Sequence, residues 1–244
     1  MTRFAPVLIV AIVWEVAGRL GLLNPSLVPL PSSIVAAFLR LAASADLAFD
    51  TGVSLWRGAA GLALSVGVGT ALGVTMARVR WVERVVQPLV SVTYPLPKSA
   101  LIPLLMIWLG IGDTAKVAVV FLGTVLPVIV GAYHGVRGVD HFLVWSARSC
   151  GTTGPRLMLR VMLPAALPDI LAGVRTALAL SFVLLISSEL LVATNGLGHL
   201  ISLLGEGGQY PEMFAVALLV CALGFGADRL FLAARRWLLR WRDP

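Results

Sequence analysis

Apolar residues run along this chain in stretches too long for the core of a soluble domain, and polar residues fall almost entirely between them. A helical span needs about 20 mostly apolar residues. Six segments meet that length, at roughly 4–23, 53–77, 88–109, 117–135, 170–193 and 213–234. Lipid offers no partner to bare backbone N–H and C=O groups, so each segment is predicted to be helical. The first opens near Arg3 and is interrupted at its far end by Glu15 and Arg19. No small-residue cleavage site follows it, so it is expected to be a retained span.

Between the first two spans, Pro31 and Ser32 mark a helix start. Ile34, Phe38, Leu41 and Ala45 then recur on one helical face, the pattern of a short helix lying on a membrane surface or packed on the bundle. The second span carries Gly69 and Gly73, a small-xxx-small pair that lets two helix backbones approach closely. Gly67 and Gly69 do not make a dinucleotide motif, because the third glycine is misplaced and no strand precedes them.

The third span holds Pro95, Pro97 and Pro103 together with Lys98. Internal prolines remove helix hydrogen bonds, and irregular backbone at membrane depth is tolerated where it is packed in protein or lines a cavity. A lysine at mid-span costs about 2.5–3.5 kcal/mol unless it pairs or meets water. Two readings follow: a translocation path through this break, or a lysine snorkelling from a helix end made by the prolines. In the fifth span Arg175 lies near one end. Glu189 falls on nearly the same face at the opposite depth, where an acid marks either function or a hydrogen-bonded packing site. The stretch after it, 194–213, carries no Arg or Lys, and Leu200, Ile201, Leu203 and Leu204 suit a re-entrant or surface helix.

The longest polar interruption with several arginines is Trp145–Pro168. Residues 139–150 have helical spacing, Gly151 and Gly154 free the backbone for a turn, and Pro155 suits the first turn of a second helix. That second helix is predicted to run over 156–163 and to end at Pro164. The product is a glycine-hinged elbow exposing Arg148, Arg156 and Arg160.

Composition agrees with the pattern. The chain is 59% hydrophobic and 13% charged, far from soluble averages of about 45–50% and 25%. Its net charge of +7 does not imply nucleic-acid binding, because the arginines cluster at the ends of apolar runs, where topology requires them. With the N-terminus placed in the cytoplasm, the inner segments hold twelve Arg, among them Arg3 and Arg242, and the outer ones only Arg40 and Lys116. Both termini are therefore expected inside, with an Arg- and Trp-rich tail as a membrane-surface anchor. Cys150 and Cys221 cannot frame a disulfide scaffold, and neither His134 nor His141 has company at metal-ligand spacing. There is no nucleotide-binding phosphate loop and no motif of an intramembrane hydrolase. What remains is a polytopic membrane protein without a catalytic motif, and one reading of it is an ion-coupled carrier or channel working through Lys98, Arg175, Glu189 and Asp228. The absence of an internal inverted repeat disfavours the carrier.

The elbow resembles the EAA-x3-G-x9-I-x-L-P loop of permease subunits of binding-protein-dependent ABC importers. Ala147 matches the second alanine, Gly151 the glycine, Val161 the isoleucine position and Leu163-Pro164 the ending; Trp145 replaces the glutamate and Ser146 the first alanine. PLPKSALIPLLMIWLGIGDTAK, LPVIVGAYHGVRGVD, LAGVRTALAL and SSELLVATNGLGHLI are similar to the aliphatic-sulfonate, taurine and nitrate branch, over about 30–240. The resemblance implies an all-α, six-helix type I (MetI-like) permease, with residues 1–244 a single domain and a cytoplasmic coupling loop at about 137–168. It implies a bacterial inner-membrane location, a second permease copy, lipid around the spans and an extracytoplasmic solute-binding protein. It also implies a partner ATPase that holds ATP and magnesium, so that no cofactor sits on this chain. Trp145, Ser146, Ala147, Arg148, Gly151, Pro155, Arg156, Arg160, Val161, Leu163 and Pro164 then form the coupling loop. Pro95, Pro97, Lys98, Pro103, Arg175 and Glu189 are the candidates for the path of a small anion.

Overall fold

The computed structural model describes residues 5–24 and 27–241, and every regular element among them is helical. Arg3, Phe4 and Arg242 lie outside the described residues. In chain order the helices are α1 (Ala5–Arg19), α2 (Pro31–Leu41), α3 (Ala45–Arg78), α4 (Arg80–Thr93), α5 (Leu101–Leu109), α6 (Asp113–Arg137), α7 (His141–Ser149), α8 (Gly154–Leu157), α9 (Leu163–Leu191), α10 (Leu197–Glu206) and α11 (Tyr210–Leu238). Among the described residues, four helical stretches are long and apolar enough to cross a membrane: α3, α6, Gly154–Leu191 and α11. A fifth span is made if α4 and the stretch Lys98–Leu109, bent by 88°, are counted together. Among the described residues the first predicted span contributes the 15-residue α1, about 22 Å of helix at 1.5 Å per residue, against a hydrocarbon core of ~30 Å.

Two corrections concern proline. The third apolar segment is not one helix, because α4 stops at Thr93 and the chain turns through Pro95 and Pro97 into a single 3-10 turn at Lys98–Ala100. Pro103, by contrast, breaks nothing: it sits in the first turn of α5, where N–H groups lack intrahelical partners anyway. Nor does Pro164 end the second elbow helix. The helix continues from Gly154 to Leu191 through a π turn at Met158–Met162, closed by the Leu163 N–H on the Met158 carbonyl. A π turn widens the backbone next to a residue that cannot donate and whose ring crowds the preceding carbonyl. The fifth span therefore starts one full turn or more before its apolar run.

The chain divides into two compact units, with boundaries inside α3, α9 and α11. One comprises residues 1–55 and 186–225. Its core joins Ile34, Ala37 and Ala215, with Trp14 edge-on to Phe214, to a second cluster of Leu47, Leu197, Leu204 and Val216. Glu15 accepts the Ser32 N–H at 3.0 Å and so caps the exposed start of α2, which explains an acid at the end of an apolar run. Arg40 pairs with Glu212 at 2.7 Å.

The other unit comprises residues 56–185 and 226–244. Here α6 packs against both α3 and α9. A Cβ at Gly69 would lie 2.8 Å from the Val128 Cβ, and one at Gly73 would lie 2.5 Å from the Ile129 carbonyl oxygen. The small-xxx-small pair thus does bring two backbones together. On the other side of α6, Gly131 faces Gly173 so closely that a Cβ would stand 3.0 Å from the latter's Cα. Ser65 and Thr124 share a hydrogen bond of 2.6 Å between α3 and α6, which satisfies both hydroxyls away from water.

Candidate functional site

The elbow is built by capping. Asp140 begins α7 by accepting the Phe142 N–H at 2.8 Å. At the other end Gly151 adopts φ +77°, the Thr152 N–H reaches the Ala147 carbonyl and the Gly151 N–H reaches that of Arg148, both at 2.9 Å. This is a Schellman motif, in which a left-handed glycine lets the chain satisfy the last carbonyls and reverse. Gly154, at φ +59°, opens the next helix, with Pro155 in its first turn. Leu157 and Met158 are buried, and Met158 roots the elbow in the core of Val136, Val139 and Ala166.

What the elbow leaves outside is apolar and basic. Trp145 is 59% exposed, with its ring 5.7 Å from Phe142, edge-on, and 6.4 Å from His141. Leu143 and Leu159 are also exposed, as are Ser146, Arg148, Arg156 and Arg160. Ala147, Val161, Leu163 and Pro164 are half-buried at the base. Such an aromatic patch, rimmed by arginine, has the composition of the centre of a protein interface.

At the broken helix, Lys98 is half-buried; its ammonium donates to the Tyr94 carbonyl and lies 5.3 Å from the Tyr94 ring centroid. Tyr94 ends α4, so the lysine complements the negative end of that helix. Pro95, Pro97 and Pro103 are exposed around it. Arg175 is not near Lys98's break by any described contact; it makes a two-pronged pair with Asp228, Nε to Oδ1 at 2.8 Å and Nη2 to Oδ2 at 3.1 Å. Glu189, 1% exposed, accepts from the Ser54 hydroxyl at 2.8 Å and from the Gly198 N–H at 3.0 Å.

Several charged residues escape the hydropathy reading. Arg57 is buried inside α3 and bonds Asp113 through Nε at 2.8 Å and Nη2 at 2.6 Å. Lys116, counted by the sequence among outer loop residues, is buried in the first turn of α6 and donates to the Ile111 carbonyl. Asp50 and Ser54 lie one turn apart on the face of α3 that meets the start of α10. A charge within an apolar run, the signal that singled out Lys98 and Glu189, also marks Arg57.

The family described as binding-protein-dependent transport system inner membrane component matches residues 65–240. The chain belongs to it. It is an all-α, multi-pass inner-membrane permease subunit of an ABC importer, and the subunit is not itself catalytic; the ion-coupled carrier reading is set aside. Among relatives of this permease is a protein of Escherichia coli (strain K12) named for aliphatic sulfonates transport, SsuC. It is 38% identical over 238 residues, which cover 98% of this chain and 90% of that protein. The taurine transport system permease protein TauC of the same organism is 30% identical over 234 residues, covering 94% and 85%. A chain in the crystal structure of an amino acid ABC transporter with histidines shares the fold, with a TM-score of 0.62 at 18% identity over 80% of this permease and 92% of that chain. The fold of this permease is the all-α type I (MetI-like) permease fold.

Proposed function

We infer that this permease moves a small sulfonate-type anion, such as an alkanesulfonate, taurine or nitrate, inward across the bacterial plasma membrane. Residues 1–244 act as one transmembrane domain, paired with a second copy of itself and surrounded by lipid. An extracytoplasmic binding protein delivers the solute. A separate ATPase holds ATP and magnesium and docks on the elbow at about 137–168, with both termini on the same cytoplasmic side.

The observation that carries this reading is the capped, outward-facing elbow. It displays Trp145, Arg148, Arg156 and Arg160 on a frame formed by Ala147, Gly151, Val161, Leu163 and Pro164. Trp145 changes the docking chemistry. Where the family's loop offers a carboxylate, this one offers an aromatic ring, so the partner groove should be apolar at that point rather than basic. The solute class is supported by the relatives named for sulfonates and taurine. The path is proposed to pass the α4–α5 break, where Pro95, Pro97 and Pro103 expose irregular backbone beside Lys98. Arg175 and Glu189 remain candidates for the path, each held by its own partner, Asp228 and Ser54.

The test is reconstitution of the permease in proteoliposomes with its ATPase and binding protein, followed by uptake of labelled taurine and ethanesulfonate. Uptake should require ATP and the binding protein, and Lys98→Met should lower it severalfold for the anion. Uptake without the ATPase would overturn the coupling. An unchanged rate in Lys98→Met would remove the lysine from the path.

A further inference from the structure

Helix α10 is ten residues long, and a helix under ~12 residues is marginal by itself. Its first N–H groups have no intrahelical acceptors. In this structure each of three takes a side chain from another helix. The Gly196 N–H donates to Asp50 Oδ1 at 2.7 Å, the Leu197 N–H to Ser54 Oγ at 2.9 Å and the Gly198 N–H to Glu189 Oε2 at 3.0 Å. Ser54 closes the set by donating to Glu189 Oε2 at 2.8 Å, which ties α3 to α9 directly. The fit allows no slack. Gly196 sits at φ +110°, and a Cβ there would meet Glu189 Oε1 at 2.5 Å; one at Gly198 would meet the Ile186 carbonyl at 2.7 Å. Asp50, Ser54 and Glu189 are all buried.

We propose that Glu189, Ser54 and Asp50 are positioning residues of the transport cycle. They lock the start of α10 to α3 and α9, so that α10 follows these two spans as one body while the permease alternates. The chemistry favours a lock over a weak contact. Carboxylate acceptors strengthen hydrogen bonds to N–H groups, burial removes competing water, and the helix dipole favours negative charge at this end. The three bonds also depend on one another, since Ser54 is at once the acceptor for Leu197 and a donor to Glu189. A displacement of α9 against α3 by the length of one hydrogen bond would break the Ser54–Glu189 bond and leave α10 unable to keep its bonds to both helices at once.

The test uses the permease assembled with its ATPase in lipid nanodiscs, so that its readouts do not depend on the identity of the solute. Hydrogen exchange is followed at the amides of 196–198, without nucleotide and in the vanadate-trapped ATP state. ATP hydrolysis is measured with and without the binding protein. In the wild-type chain the three amides should stay protected in both states. In Glu189→Ala they should exchange at least about tenfold faster, and stimulation of hydrolysis by the binding protein should be lost, with partial recovery of both in Glu189→Gln. Ser54→Ala, a milder change, should give the same pattern at smaller amplitude and carries the test if Glu189→Ala does not accumulate. Loss of protection at 196–198 in one nucleotide state of the wild type would overturn the single-body lock. Unprotected amides with undiminished stimulation would reduce these residues to local packing.

Discussion

Gly151 adopts φ +77° with nothing within 4 Å of where a Cβ would stand, so its constraint is backbone conformation and not space. A β-branched residue there costs about 1–2 kcal/mol of strain, enough to unseat the Schellman turn without threatening the spans. Gly151→Val is therefore expected to insert and assemble normally while ATP hydrolysis no longer drives uptake; parallel hydrolysis and transport assays in proteoliposomes would register the split. Arg175 and Asp228 make a second residue-level case. Replacing either one by Ala leaves a charge within a span without its partner, whereas removing both does not. The double variant should therefore be more stable than the sum of the singles predicts, by about 1 kcal/mol in a thermal-shift cycle; strict additivity would mean that the pair is only a close approach. At this scale the sequence was legible where a residue breaks a local rule, as Gly151 and Glu189 do. It was silent about Ser54, whose hydroxyl looks ordinary until the fold brings Glu189 and Leu197 to it.

Among the elements, spacing alone revealed that Gly69 and Gly73 present a flat face, but the identity of the partner helix required the fold. A helical period says which residues share a side, and nothing in it names the neighbour. The Gly131–Gly173 approach between α6 and α9 is as close, with a Cβ at Gly173 standing 2.5 Å from the Pro127 carbonyl oxygen, since both backbones lack side chains at the crossing. Gly131→Leu is expected to force these helices apart and to lower stability by more than the ~1–3 kcal/mol typical of overpacking, read as loss of monodisperse protein in detergent. Gly67→Leu, at an exposed position with open space, should be tolerated and serves as the control. The prolines misled for a related reason. Pro95 and Pro97 end a helix while Pro103, Pro127, Pro164 and Pro168 sit inside helices. For Pro103 the missing bond is accommodated by a first-turn position and for Pro164 by a π turn, and neither is visible in composition.

For the whole molecule, hydropathy located the apolar stretches but did not determine how each is used. One became a 15-residue helix and another a pair bent by 88°. Orientation rests on a different signal, the excess of arginine on alternate connections, which acts through the cost of moving positive charge across the bilayer. Lys116, although buried with its ammonium on the Ile111 carbonyl, remains a positive charge and still counts on the sparse side. Arg40 is the arginine on that side, and it is paired with Glu212. The chain carries its own probe of the resulting topology: Cys150 is exposed at the tip of the elbow. In a Cys221→Ser background, a membrane-impermeant maleimide applied to intact spheroplasts should leave Cys150 unlabelled and should label it once the membrane is opened. Ser44→Cys with Cys150 and Cys221 replaced by Ser, on the loop between α2 and α3, should give the reverse. Labelling of Cys150 from outside would invert the molecule, put the elbow beyond reach of any cytoplasmic ATPase, and remove the route by which hydrolysis could act on these spans.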